Sequence, residues 1–338
     1  MSKIAVLGSG GWGTALAVML SNKGHDVSLW SVFPEEIEGI KAAGENAKLL
    51  PGVKISESIK LTTDKNCVSG VDLVVMAVPS FAVRTTARSF AGYIADGTVV
   101  TNVAKGIEES TLKFLTEVIS EELPNVRITA LSGPSHAEEV GRGMPTSVAV
   151  ASLDIEAAEY VQNIMMNETL RIYTNPDVMG VELSGAVKNV IALSAGVCDG
   201  MGYGDNTKAA LITRGLNEIT RIGVAMGATE ATFAGLAGIG DLIVTCTSMH
   251  SRNRRFGILI GKGYSVDKAL KEIGMTVEGY HAAKSAMLLV RKIGVEAPII
   301  ESCYRVLYEN LSPCDALVTL MGRPQKCEIE NADLQNWL

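Results

Sequence analysis

The sequence predicts an α/β domain built on a parallel sheet, followed by an all-helical domain. Three observations predict it. Short apolar runs alternate with helical patterns through the first half of the chain. A glycine-rich loop, GSGGWG, directly follows the first of those runs. After about Pro176 the strand-like runs nearly vanish and long helical patterns take over. The 338 residues are enough for two domains, expected at 1–178 and 179–338.

The elements follow in order. KIAVLG (3–8) reads as a short strand, and 13–23 as the helix after it. HDVSLW (25–30) reads as a second strand. DLVVMAVP (72–79) is a nearly continuous apolar run, as expected of a strand buried on both faces. TVVTNVA (98–104), RITALSG (127–133) and TSVAVAS (146–152) are further strands, and 109–121 is a helix between two of them. The later helical patterns cover 178–200, 207–227, 265–273, 279–294, 298–310 and 312–321. The polar tail from Glu328 onward is expected to fray.

Composition narrows the function. The chain is 47% hydrophobic and 20% charged, ordinary for a soluble globular protein. A net charge of −7 and a pI near 5.3 argue against a nucleic-acid partner, but leave room for a basic pocket that takes a small anion. The six cysteines are scattered without a C-x-x-C pair, which fits free thiols in a reducing cytoplasm. Glycines 8, 10, 11 and 13 interrupt the N-terminal apolar run, unlike the core of a signal peptide. No segment gives roughly 18 uncharged apolar residues in a row, so no membrane insertion is expected.

Gly8, Gly10 and Gly13 form G-x-G-x-x-G between a strand and a helix. In that context the first glycine permits a tight turn. The second lets backbone approach a pyrophosphate, and the third lets helix and strand pack closely. The helix N-terminus offers free N–H groups to the phosphates. The α/β part therefore reads as a Rossmann-type dinucleotide-binding domain. The second strand ends in Trp30-Ser31-Val32-Phe33, with neither an acid nor an arginine at its tip. Glu35 and Glu36 follow a proline and read as the start of the next helix. NAD and NADP both stay open.

Ligands of such sheets bind outside the carboxyl ends of the strands. Those ends carry Pro79-Ser80, Ala104-Lys105-Gly106 and Ser132-Gly133-Pro134-Ser135. Lys105 reads either as a solvated lysine or as a ligand-facing cation. His136 is expected to be an ordinary exposed histidine. Lys188 sits in VMGVELSGAVKNVIALSAGV, an otherwise small and apolar helix, with no carboxylate at i±3 or i±4. It reads either as snorkelling toward water or as a desolvated proton-transfer group beside a pocket. Asp241 follows a glycine-rich turn, and Thr245 lies one helical turn later. SRNRR (251–255) places three arginines beside Ser251, a candidate N-cap. It reads as a solvated charged face or as a phosphate site.

With these residues in hand, the chain resembles the bacterial-type NAD(P)-dependent glycerol-3-phosphate dehydrogenases nearly end to end. The resemblance rests on GSGGWGTALA (8–17), AKGIE (104–108), SGPSHAEEV (132–140), ELSGAVKNVIALSAGVCDGMGYGDNTKAALITRG (182–215), GLAGIGDLIVTCTSMHSRNRRFG (235–257) and VEGY (277–280). It implies a helical domain similar to the C-terminal domain of 6-phosphogluconate dehydrogenase. It implies reversible hydride transfer between a nicotinamide and C2 of dihydroxyacetone phosphate, giving sn-glycerol 3-phosphate for phospholipid synthesis. By carry-over Lys188 is the general acid/base, with Asp241, Thr245 and Lys105 around it. Gly133, Ser135, Lys105, Ser251, Arg252 and Asn253 match the substrate side. Gly11, Trp12, Ser31, Phe33, Lys105, Ala137, Arg252, Thr276 and Glu278 match the cofactor side, with the loop glycines. A cytoplasmic homodimer is the family habit. Relatives often carry an arginine after the second strand's tryptophan, where this chain has Ser31-Val32.

Two other readings compete. A lysine-dependent reductase of 3-hydroxy or 2-keto acids would need a carboxylate clamp where this chain offers SRNRR. A nucleotide sensor without catalysis would show a damaged constellation, yet Lys105, Lys188, Asp241 and Arg252 are all present.

Overall fold

The structure is a computed structural model that describes residues 1–325 and 327–328. The fraying expected beyond Glu328 falls outside them. Eight strands form one sheet: β1 Lys3–Leu7, β2 Asp26–Trp30, β3 Lys60–Thr62, β4 Leu73–Met76, β5 Val99–Asn102, β6 Arg127–Ser132, β7 Thr146–Ala151 and β8 Leu170–Asn175. Between them lie helices α1 Gly11–Asn22, α2 Pro34–Ala43, α3 Val83–Phe90, α4 Leu115–Glu122, α5 Ala137–Val140 and α6 Ile155–Met165. From Val178 the described chain is helical: α7 Val178–Gly200, α8 Asp205–Ala225, α9 Glu230–Phe233, α10 Asp241–Thr247, α11 Arg252–Gly261, α12 Val266–Ile273, α13 Glu278–Ile293, α14 Pro298–Tyr308 and α15 Pro313–Met321.

The strand order is β3-β2-β1-β4-β5-β6-β7-β8. The first six strands are parallel, in the order of a doubly wound dinucleotide fold. β4 and β5 are buried along their whole length, which explains the unbroken apolar run of β4. Two features depart from the sequence reading. β7 runs antiparallel to β6, so the sheet is mixed, and β8 extends it in parallel with β7. β3, only three residues long, and β8 are strands that the sequence reading does not include.

The helix expected at 109–121 begins only at Leu115. Upstream, Ile107 bridges Phe114, and Leu112 takes a φ of 59°, so the chain turns back on itself first. Helix α7 is long and apolar enough to cross a membrane by length and composition, but 83% of its apolar window is buried inside the protein. It forms the spine of the second core, with Leu183, Val187, Val190, Ile191 and Leu193 packed among Ile219, Ile222, Phe256 and Ile300. Each fully buried side chain of this size contributes about 1.5–3 kcal/mol.

Candidate active site

The glycine loop is built as its spacing requires. Gly8 takes a φ of 121°, and a Cβ there would sit 2.7 Å from the Ala77 backbone. A Cβ on Gly13 would fall 2.0 Å from the Gly8 carbonyl oxygen, so helix α1 abuts β1 only without a side chain. Gly10 opens onto free space, where backbone can be approached. Its helix has no side-chain cap, which leaves first-turn N–H groups available. Trp12 Nε1 is buried without a partner. The loop is held from behind by Asn46, whose Nδ2 donates to the Ser9 carbonyl at 2.8 Å. Ala137, at the start of α5, lies against Gly11. This open cradle and the orphaned indole N–H fit a dinucleotide pyrophosphate.

The loops after β5 and β6 meet helices α7 and α10 in one hydrogen-bonded group. Lys188 is buried on α7, 5% exposed, and its Nζ donates to Asp241 Oδ1 and, at 2.8 Å, to Thr245 Oγ1. Thr245 in turn donates to the Asp241 carbonyl at 2.6 Å, which leaves its lone pair for the lysine. Lys105 reaches over from β5. Its Nζ donates to Asp241 Oδ2 at 2.7 Å, to the Gly133 carbonyl at 3.0 Å and to Ser135 Oγ at 3.2 Å. One buried carboxylate therefore joins two lysines from opposite halves of the chain. Neither solvent-facing reading of these lysines survives.

Local sequence makes this meeting possible. A Cβ on Gly185 would lie 2.8 Å from Ser132 Oγ and 3.5 Å from Lys105 Cγ, so the small residue before Lys188 admits Lys105. Asp241 is delivered by a short π-type turn, Leu236–Gly240. Within it Gly238 is non-helical, and a Cβ there would strike the Phe233 carbonyl at 2.0 Å. Burial pushes the Lys188 pKa down to about 7, offset in part by Asp241 and reinforced by Lys105. Burial pushes Asp241 up, but the two lysines outweigh it and hold the carboxylate below its ordinary value.

Arg252, the first residue of α11, is exposed and makes no ion pair among the described residues. Its neighbours are committed elsewhere. Ser251 is buried and caps α11 by accepting the Arg254 N–H at 3.2 Å, as its position predicted. Asn253 Nδ2 donates to Asn189 Oδ1 at 2.8 Å, and its Oδ1 accepts the Gly279 N–H at 2.8 Å. Arg254 Nε donates to Asp199 at 2.7 Å. Of the basic cluster, Arg255 is half-buried, with Nε lacking a partner, and Arg252 offers the exposed, unpaired fork; Ser251 and Asn253 fix the helix that carries both.

On the expected cofactor side, Glu278 binds across the interface to β4's loop: Ser80 Oγ donates to its Oε2 at 2.6 Å. Thr276 is half-buried just before it. Phe33 is 52% exposed at the tip beyond β2. Ser31 Oγ donates at 2.7 Å to Glu36, whose carboxylate folds back from α2. An acid does stand at the β2 tip, contrary to the sequence reading. His136 is likewise not ordinary. It is half-buried, its Nε2 is buried without a partner, and its ring lies 5.8 Å from that of His250. Burial, with Lys188 nearby, pushes its pKa below the usual value. Neither the bend that returns Glu36 nor the loop that buries His136 leaves a periodic signal in sequence.

A cavity of about 760 Å³ lies elsewhere, among α7, α8, α14 and α15. It is lined by residues such as Leu193, Val197, Leu211 and Ile299 and contains none of the groups above. A cavity by itself does not mark the site; the converging charges between the two halves do.

Fold and cleft together define a class: a two-part dinucleotide-binding protein with a lysine–carboxylate–lysine group at the strand ends. Family profiles narrow it. "NAD-dependent glycerol-3-phosphate dehydrogenase N-terminus" matches residues 3–158, and the corresponding C-terminus matches 177–318. The chain belongs to the NAD-dependent glycerol-3-phosphate dehydrogenase family. It is 52% identical over 334 residues to "Glycerol-3-phosphate dehydrogenase [NAD(P)+]" of Fusobacterium nucleatum, covering 98% of this chain and 100% of that one. The protein of the same name from Moorella thermoacetica is 54% identical, with 98% of each chain covered. The crystal structure of glycerol-3-phosphate dehydrogenase from Coxiella burnetii superposes with a TM-score of 0.92 at 38% identity, covering 95% of this chain and 99% of that one. A ketopantoate reductase from Ralstonia eutropha shares the fold, with a TM-score of 0.61 at 17% identity over 93% of this chain and 99% of that one.

Proposed function

We propose that the chain interconverts sn-glycerol 3-phosphate and dihydroxyacetone phosphate with NAD or NADP. Its product would serve phospholipid synthesis. The observation that carries the reading is the buried Asp241 carboxylate shared by Lys188 and Lys105, together with the unpaired Arg252 fork at the start of α11. The nicotinamide, when bound, supplies or accepts the hydride. The chain's own residues do the rest. Arg252 holds the substrate phosphate through a planar, bidentate contact. Lys105, with Gly133 and Ser135, orients the C2 oxygen toward Lys188. In reduction Lys188 gives its proton to that oxygen as negative charge develops there. In oxidation it takes the proton back.

Asp241 keeps the ammonium aimed, and Thr245 fixes its rotamer. Burial keeps the lysine's pKa low enough for it to work as acid and base near neutrality. Gly8, Gly10, Gly11, Trp12 and Gly13 hold the pyrophosphate. Ser31, Phe33 and Ala137 border the cofactor, as do Thr276 and Glu278. The domain boundary falls between 178 and 179, where α7 has just begun. A cytoplasmic homodimer fits the family likeness.

The test is the initial rate of dihydroxyacetone phosphate reduction with NADH and NADPH on purified protein. Substrate-dependent oxidation of either cofactor is the expected outcome. No oxidation of either by folded protein that still binds cofactor would remove the substrate assignment and revive the hydroxyacid reading.

A further inference from the structure

We propose that Glu36 makes this chain select NAD(H) over NADP(H). The inference rests on the dinucleotide reading above and names the group that reads the adenosine ribose.

Three observations converge. Glu36 stands in the first turn of α2, and its Oε2 accepts from Ser9 Oγ at 2.5 Å and from Ser31 Oγ at 2.7 Å. Ser9 belongs to the glycine loop, and Ser31 follows the last residue of β2. The carboxylate is thus pinned between the loop that holds the pyrophosphate and the strand tip where a Rossmann fold seats the ribose. Second, its other oxygen, Oε1, has no hydrogen-bond or ion-pair partner among the described residues. It remains available to accept from a ribose hydroxyl. Third, no lysine or arginine occurs in 8–13 or 30–36, so nothing in these two segments neutralises a 2′-phosphate.

The chemistry is one of charge. A 2′-hydroxyl can donate to Oε1. A 2′-phosphate brings about 1.5 to 2 negative charges to the same oxygen and has lost most of its second proton at neutral pH. Glu36 is exposed, so water screens the repulsion. The expected preference is about tenfold, the effect of unit charges at contact distance in high dielectric.

The test is the dissociation constant of NADH and of NADPH, followed by cofactor fluorescence on the intact chain without substrate. The wild type should bind NADH about tenfold more tightly, and raising salt from about 0.01 M to about 1 M should shrink that ratio. Glu36→Gln should bring the two constants within about twofold of each other, chiefly by tightening NADPH. Equal binding of both cofactors by the wild type would overturn the proposal. So would a Glu36→Gln protein whose two constants move together, since the carboxylate would then only tether α2. The salt series needs no variant and decides the matter if Glu36→Gln does not fold. Failure of the substrate assignment would show separately, as tight NADH binding with no turnover.

Discussion

Lys188 is held by two hydrogen bonds, to Asp241 and to Thr245. Lys188→Ala should lower kcat by at least about a hundredfold while cofactor affinity stays within about twofold. Steady-state rates with a parallel binding titration check both halves. The direction of its pKa fixes the pH dependence. Lys188 must be charged to donate, so kcat/KM for ketone reduction should fall as pH rises through about 7. For alcohol oxidation the lysine must start neutral, and kcat/KM should rise through the same point. Profiles of the same sign in both directions would exclude it as the proton carrier. The role proposed for Arg252 lies at the other end of the substrate. Arg252→Ala should forfeit about 1.5–3 kcal/mol of phosphate binding, roughly ten- to a hundredfold in kcat/KM. Arg252→Lys should recover only part, because a point charge does not reproduce the fork.

At the scale of elements, the site depends on how closely α11 lies on α7. Cβ atoms on Gly196 and Gly257 would fall 2.1 and 2.0 Å from the Arg254 and Leu193 carbonyl oxygens. Gly200 and Gly261 continue the same seam. The two backbones touch, and that contact sets where Arg252 stands relative to Lys188. Gly257→Ala must separate the helices. It should cost about 1–3 kcal/mol in urea denaturation and also raise KM for the phosphorylated substrate, because the arginine moves with its helix. A stability loss without a change in KM would show that α11 position and substrate binding are independent. A second element contact is made by Glu218 on α8, which accepts the N–H groups of Ile299 and Ile300 at 2.8 and 3.1 Å. It satisfies the otherwise bare first turn of α14.

For the whole molecule, the two halves are joined by buried polar groups as well as by apolar surface. Glu182 on α7 accepts from Thr116 N–H at 3.1 Å, from the Thr116 hydroxyl, and from Asn102 Nδ2 at 3.2 Å. Burial pushes its pKa from 4.5 up to about 7. The folded protein therefore holds a proton that the unfolded chain releases between those values. The stability linked to that proton is complete below about pH 4.5 and is lost as pH rises through about 7. The advantage of the wild type over Glu182→Gln should shrink over that window, by about 3 kcal/mol at most. Urea titrations of both proteins at the two ends of the window measure it. An advantage that grows with pH would mean that the hydrogen bonds to Thr116 and Asn102 keep Glu182 ionised.

Much of this was legible in the chain. The glycine loop, most strands and the long helices follow from periodicity and from residues that act through their own backbone, such as Gly8, Gly13 and the N-cap Ser251. Lys188 stood out because a lysine inside a small, apolar helix needs a partner. Its partner was not derivable from spacing, since Asp241 lies 53 residues away and arrives by a π-type turn. The direction of the Glu36 carboxylate was hidden for the same reason. Local pattern made it the start of a helix, which it is, and said nothing of where the carboxylate points. The sequence by itself determined the strand–helix order, the phosphate loop and the residue types available for chemistry, because these rest on local backbone preference and hydrophobic period. Only the tertiary structure decided which charges share a carboxylate, which unpaired arginine is exposed and which way β7 runs. Those outcomes depend on burial and on contacts between residues far apart in the chain.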